Sequence, residues 1–147
     1  MANNLIISSL FTYPIKGCGG FALNSAFITQ RGLQYDRRWM LVDEKMNFIS
    51  QRDTSTLALI KPIITENELL MQYLDEKISI PFVDRNKSYE TKMVHVWDDA
   101  CVATIYDEKI NDWFTQVLAR KCSLVYMEDN ADRPVDLTYA PPGHQTS

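Results

Sequence analysis

Hydrophobic positions along most of the chain form short runs that polar and charged residues interrupt. In GFALNSAFIT, the side chains of Phe21, Leu23 and Phe27 fall on one side of an alternating pattern, which predicts a half-buried strand. Many short strands with close turns indicate a mainly β, antiparallel domain, arranged as a small barrel or a sandwich. The other strand-length runs are LIISSLFTYPIK, LALIKPIIT, ELLMQYL, KISIPF, MVHVW, CVATIYD and CSLVYME.

The segment RRWMLVDEKMNFISQRD predicts a hairpin with strands at 38–43 and 47–51 and the charged DEKM as its tip. Adjacent side chains on a strand point to opposite faces, so Arg37 and Arg38 are expected on opposite faces. An arginine at a strand start suits an anion because its planar guanidinium offers paired donors. From the residues alone, a surface ion pair with a neighbouring aspartate explains these arginines equally well.

One segment, DEKINDWFTQVLA, has a different period. Its apolar residues are spaced i, i+3, i+4, i+7 and i+8, which predicts one amphipathic α-helix at about 108–119. Asp107 suits the N-cap, and Arg120 and Lys121 suit the C-terminal end of the helix dipole. We expect the apolar stripe to cover one end of the barrel.

Composition bounds the class of protein. With 147 residues and 46% hydrophobic residues, the chain has the size of one globular domain. A net charge of −4 without a basic cluster argues against nucleic-acid binding, and no apolar run is long enough to span a bilayer. Three cysteines without a CxxC pair argue against a structural zinc site and fit free thiols in a reducing cytoplasm.

The character of the chain changes after residue 128. The segment 129–147 contains half of the six prolines and few core-forming residues. We therefore expect residues 1–128 to form the β domain and residues 129–147 to form a linker that leads to a further domain.

The loop YPIKGCGG is the first candidate for chemistry. Lys16 precedes Gly17 and two further glycines, so the order of a phosphate-binding P-loop is absent. A turn that needs positive φ is the favoured interpretation on spacing, and a nest of backbone N–H groups beside Lys16 is the alternative. Cys18 lies next to this cation, which favours a thiolate, but His95 and His144 are poorly placed as its base. No catalytic residue and no metal ligand is predicted.

Read together, LFTYPIKGCGG and RGLQYDRRWMLVDEKMNFISQRDTSTLALIKP resemble the N-terminal β-barrel domain of MOSC proteins. That family includes the mitochondrial amidoxime-reducing component and bacterial relatives. The resemblance continues more weakly through VHVWDDACVATIYDEKINDWFTQVL to RPVDLTYA, so it covers nearly the whole chain.

The resemblance implies a molybdenum cofactor, a molybdopterin, bound between this domain and a following MOSC domain. It implies cofactor-binding roles for Lys16, for Gly17 (where the family often has serine) and for Arg38. It also places the metal-ligating cysteine in the following domain, so Cys18 is not that ligand and the chain alone is expected to be catalytically silent. The parent reaction would be reduction of an N-oxygenated compound or sulfur transfer, with a redox partner or a sulfur donor protein.

Two other hypotheses remain open at this stage. In the first, the barrel is a non-catalytic interaction module that docks a substrate, a redox partner or a sulfur donor, and Gly17 in place of a hydroxyl residue mildly favours it. In the second, Cys18 carries a persulfide, which requires a reactive and accessible thiol.

Overall fold

A computed structural model describes residues 5–84 and 86–146 of the chain. Within these ranges the protein is mainly β with a single α-helix, which confirms the predicted fold class. The elements are β1 (Leu10–Thr12), β2 (Phe21–Leu23), β3 (Ile28–Thr29), β4 (Gly32–Leu33), β5 (Trp39–Val42), a 3-10 helix (Ser55–Leu59), β6 (Lys61–Ile64), β7 (Glu68–Tyr73), β8 (Glu76–Pro81), β9 (Thr91–Val96), β10 (Asp99–Ile105), α1 (Glu108–Leu118) and β11 (Ser123–Tyr126).

A four-stranded antiparallel sheet in the order β5-β11-β10-β9 is the centre of the fold. It curls as half of a barrel, and the meander β6-β7-β8 forms a separate three-stranded sheet. The pairs β1-β2 and β3-β4 are short hairpins. The first of these hairpins brings the loop at residues 13–20 towards the start of β5, where Ile15 forms a parallel bridge with Trp39.

The central sheet separates two hydrophobic clusters, because successive side chains of a strand point to opposite faces. Trp39 and Leu41 of β5 enter the larger cluster, the major core, whereas Val42 enters the smaller one, the minor core. The buried residues of the major core are Ile15, Cys18, Trp39, Leu41, Ile49, Leu57, Ile60, Leu69, Met71, Ile80, Tyr106, Ile110, Phe114, Leu118, Cys122 and Leu124. Those of the minor core are Val42, Val94, Cys101, Ala103, Val125 and Met127.

Helix α1 forms as its sequence pattern predicts. The carboxylate of Asp107 accepts a hydrogen bond from the backbone N–H of Ile110 at 3.0 Å, which confirms the predicted N-cap. The side chains of Ile110, Phe114 and Leu118 are buried in the major core. The helix therefore closes the major-core face of the fold with its apolar stripe.

Three strand predictions were wrong in detail. Strand β2 ends at Leu23, and the Phe27 side chain is 78% exposed instead of lying on the buried face. Most of the predicted strand start LALI is the 3-10 helix Ser55–Leu59. The second strand of the 38–51 hairpin is reduced to isolated bridges, at Asn47 and Phe48. In each case a turn or a bridge satisfies the backbone where a continuous ladder was expected.

The segment 129–146 folds back on itself and onto the domain. The backbone of Val135 donates to the carbonyl of His144 at 3.0 Å, and Arg31 donates to three backbone carbonyls, those of Asp129, Ala131 and Thr146. The division at residue 128 stays a prediction. None of the helices in the described ranges has the length and apolar character needed to cross a membrane.

Candidate anion-binding site

Two loops that are distant in sequence run side by side at the start of β5. The backbone N–H of Arg37 donates to the carbonyl of Tyr13 at 2.9 Å, and that of Trp39 donates to Pro14 at 3.1 Å. The backbone N–H of Lys16 in turn donates to the carbonyl of Trp39 at 2.8 Å. This parallel pairing brings Lys16 next to the Arg37–Arg38 pair.

The glycine loop is both a turn and a source of free backbone amides. Gly17 has a φ of +87°, a conformation that disfavours side chains, and its carbonyl accepts from Gln51 Nε2 at 2.7 Å. The amides of Lys16, Cys18 and Gly19 donate to backbone carbonyls within the fold. The Gly17 amide donates to no acceptor among the residues that the structure describes. The predicted nest thus retains the amide of Gly17, which adjoins Lys16, and the amide of Gly20, which likewise donates to no acceptor within the described residues.

Gly20 is required for a different reason. A Cβ atom at this position would lie 2.5 Å from the Tyr13 ring and 2.6 Å from the carbonyl oxygen of Thr12. Only glycine allows the loop to close tightly enough onto β1. Gly20 therefore fixes the path of the loop that carries Lys16.

Lys16 carries an uncompensated charge in a partly buried place. Its ammonium lies 5.4 Å from the centroid of the Phe48 ring, and it forms no ion pair with any carboxylate of the described chain. Burial lowers the pKa of Lys16 from its ordinary value, and the neighbouring charges of Arg133 and Arg37 lower it further. A bound anion would relieve this accumulation of positive charge.

Arg37 borders the same cavity as Arg38, so the expectation of opposite faces was wrong. The strand begins only at Trp39, and Arg37 lies in a turn with a φ of +50°, where the alternation of a strand does not apply. The Arg37 guanidinium is half exposed, is paired with Asp36, and lies 4.9 Å from the centroid of the Tyr13 ring.

Arg38 is buried and held by the protein itself. Its Nε and Nη2 atoms donate to the carbonyl of Met127, and its Nη1 lies 2.8 Å from a carboxylate oxygen of Asp129. The guanidinium carbon also lies 5.2 Å from the centroid of the Tyr126 ring. Arg38 therefore ties β5 to the chain that follows β11, and its predicted contact with the cofactor stays a prediction.

Two cavities meet at Lys16 and Arg37. The smaller measures about 30 Å³ and lies over the minor core, with Lys16, Arg37, Arg38 and Arg133 in its lining. The larger measures about 370 Å³; Lys16, Gly17 and Arg37 line it, and Arg38 does not. A volume of the first size admits little more than water, whereas the second lies in the range of small-molecule sites.

The larger cavity has a wall that sequence reasoning missed. Phe48 and Trp97 pack edge to face, with ring centroids 4.8 Å apart, and the Arg52 guanidinium carbon lies 5.8 Å from the Trp97 centroid. Trp97 occupies the turn between β9 and β10. The sequence signal was a bulky aromatic residue directly before Asp98–Asp99, at a hairpin tip that normally favours small polar residues.

Cys18 is 3% exposed, and burial raises the pKa of its thiol to about 12, so the neighbouring Lys16 does not favour a thiolate and the persulfide alternative lacks the accessible thiol that it requires. Cys101 and Cys122 are buried free thiols, as predicted for core residues. His95 lies in β9, where its backbone pairs with neighbouring chain segments. No cluster of three or more metal-binding side chains occurs within residues 5–84 and 86–146.

Comparison with known proteins places the chain in a family. The model of the MOSC N-terminal beta barrel domain matches residues 4–121. The molybdenum cofactor sulfurase of Homo sapiens is 28% identical over 131 residues, and that of Oryza sativa subsp. japonica is 27% identical over 128 residues. These matches cover 87% and 84% of this chain, which spans 15% of the length of either relative.

A solved structure supports the fold. The solution structure of a structural genomics target protein from Bordetella bronchiseptica superposes with a TM-score of 0.55 at 12% identity. The match covers 72% of this chain and 90% of that one. Together with the family match over residues 4–121, this shows that the chain belongs to the MOSC N-terminal β-barrel domain family.

Proposed function

We propose that this domain binds the phosphate end of a molybdenum cofactor, with Lys16, Gly17 and Arg37 as the direct contacts. The single observation that carries the proposal is the half-buried Lys16 ammonium. It lines the larger cavity together with other cations and has no carboxylate partner in the described chain. A doubly charged phosphate would match this site because charge-assisted hydrogen bonds from ammonium, guanidinium and a free amide can converge on it.

Arg38 takes a supporting part in this proposal. It adds positive charge behind Lys16, and a cofactor contact at this residue would use the smaller cavity, whose volume is about 30 Å³. Arg37 has the better access, because its guanidinium is half exposed whereas that of Arg38 is buried against Met127 and Asp129.

The chemistry that the cofactor supplies when bound is redox or sulfur chemistry at its metal. The residues of this chain bind and orient the group: Lys16 neutralises the phosphate, and Gly17 offers its N–H at a position where a side chain is disfavoured. The metal ligand would come from a following MOSC domain. The reaction of the whole protein would then be sulfur transfer, in keeping with the names of its relatives, or reduction of an N-oxygenated compound, in a reducing cytoplasm.

The test uses inorganic phosphate as the probe and this chain as it exists. Calorimetric titration should show saturable binding that Lys16→Ala weakens roughly tenfold to one-hundredfold, since a hydrogen bond to a charged group contributes about 1.5–3 kcal/mol. Lys87→Ala is the matched control, because Lys87 is an exposed lysine paired with Asp84, outside the site. Equal phosphate affinity in the Lys16 and Lys87 variants would contradict the proposal.

A second candidate function is the non-catalytic interaction module. The exposed apolar side chains of Phe27 and Ile28, 78% and 85% accessible, favour it because they lie on a short hairpin outside both cores. If phosphate does not bind the unmodified chain, this candidate gains, and a Phe27→Ser, Ile28→Ser variant should then lose contact with the following domain or with a donor protein.

A further inference from the structure

We propose that Trp97, supported by Phe48 and Arg52, forms a stacking platform that selects ligands in which a planar heterocycle is joined to a phosphate. This inference rests on the proposed phosphate site and extends it along the same cavity. It concerns residues that the phosphate contact does not use.

The first observation is the backbone of Trp97. This residue has a φ of +55° in the two-residue turn between β9 and β10, a conformation that bulky residues rarely adopt. Asparagine, aspartate or glycine would fit that turn without strain. The fold therefore holds an indole at a position where backbone preference alone selects against it.

The second observation is the exposure of the indole. Trp97 is 63% exposed, although it contacts both Phe48 and Arg52. By contrast, Trp39 is 1% exposed and its Nε1 donates to the Tyr106 hydroxyl at 3.0 Å. Trp97 thus adds little to either core and keeps ring surface free at the cavity.

The third observation is the continuity between the platform and the cation. The Lys16 ammonium lies 5.4 Å from the Phe48 centroid, and that ring is 4.8 Å from the indole centroid. No carboxylate lines this cavity, and Arg52 has no ion pair within the described ranges. One small ligand can therefore place a phosphate at Lys16 and an aromatic ring on Trp97, where stacking is stabilised by the adjacent guanidinium.

The chemical class follows from these three features. A flat, polarisable ring stacks on tryptophan regardless of its hydrogen-bond pattern, and a short linker sets its distance from the phosphate. A pterin phosphate meets both conditions under the proposed function. Guanosine 5′-monophosphate is a suitable probe because guanine contains the same 2-amino-4-oxopyrimidine ring as a pterin.

The experiment compares guanosine 5′-monophosphate with ribose 5-phosphate, which has the phosphate without the base. The unmodified chain should bind the nucleotide more tightly, and binding should quench tryptophan emission. Trp97→Ala should weaken nucleotide binding roughly fivefold to one-hundredfold and leave ribose 5-phosphate unchanged, since stacking is lost and the phosphate contact is kept. Trp97→Phe should restore part of the difference, and Trp113→Phe, which alters a tryptophan outside the cavity, should preserve it.

The outcomes separate the two proposals. Equal affinity for both probes in the unmodified chain, or an unchanged preference in Trp97→Ala, overturns the platform while the phosphate site stands. Absence of ribose 5-phosphate and nucleotide binding overturns both. Because each variant is judged by its ratio of two affinities, a loss of stability in Trp97→Ala does not imitate the expected result.

Discussion

The two faces of the central sheet differ in what covers them. The major-core face is closed by α1, which buries Ile110, Phe114 and Leu118, and within it the Trp39 indole donates to the Tyr106 hydroxyl. The minor-core face has fewer buried residues and ends at a cavity bordered by four cationic side chains. The difference shows that packing closes one face of this small barrel, whereas the other face collects positive charge at Lys16 and Arg37, which also line the larger cavity.

The largest expected effect separates the two faces by stability. Phe114→Ala should lower the free energy of unfolding by about 3–5 kcal/mol, because it removes a fully buried ring from the closed core. Met127→Ala, its counterpart in the minor core, should lower it by about 2 kcal/mol, because the site already borders a cavity. Urea denaturation of both variants measures this, and a larger loss for Met127→Ala would reverse the comparison.

The sequence predicted the major core better than the site. The helical period of Ile110, Phe114 and Leu118 is a local signal, and burial of these side chains in the major core confirms the helix that it predicts. The antiparallel strand class also followed from local runs. The prediction that Phe27 lies on the buried face of a strand was wrong because alternation along a chain does not reveal where strand pairing stops. Strand β2 stops after three residues.

Placement of the arginines required information that a local pattern does not contain. Strand alternation for Arg37 and Arg38 assumed an early start to β5, whereas the pairing of Arg37 with the carbonyl of Tyr13 holds it in a turn. That pairing joins residues far apart in sequence, and only the resemblance between both motifs and the family linked Lys16 to this region. Trp97 was missed for the same reason: its contact with Phe48, and through that ring with Lys16, joins residues from different parts of the chain.

The next largest effect distinguishes Arg38 from Arg37. Arg38→Ala should lower the free energy of unfolding by about 2 kcal/mol, because it removes charge-assisted bonds to Met127 and Asp129. Arg37→Ala should change stability by less than about 0.5 kcal/mol, as expected for a half-exposed residue. Phosphate affinity should show the opposite order, with the greater loss in Arg37→Ala. Thermal melts and phosphate titrations on the same two samples check this, and a greater affinity loss in Arg38→Ala would move the direct contact to Arg38.

The smallest effect sharpens the electrostatic side of the comparison and depends on the lowered pKa of Lys16. Because burial and the charges of Arg133 and Arg37 favour the neutral amine, Lys16 releases its proton at a lower pH than the ordinary lysine value of 10.5. As the pH rises, anion affinity should therefore begin to decline before the ordinary lysine value of 10.5 is reached. The decline is only partial, because a fraction of Lys16 stays protonated. Sulfate is the suitable probe because its own charge is constant from neutral pH upward.

The same linkage has a defined sign for stability. The unfolded chain binds more protons than the folded one between the lowered pKa and the ordinary value, so stability contributed by this group rises with pH through that window.

Sulfate titrations between neutral pH and about pH 10 should show the decline in anion affinity in the unmodified chain and in Tyr13→Phe, which removes the tyrosine that also borders the cavity. Lys16→Arg should abolish the decline, because a guanidinium stays charged throughout this range. A decline of equal size in Lys16→Arg would assign the titration to another group and remove Lys16 from the anion contact.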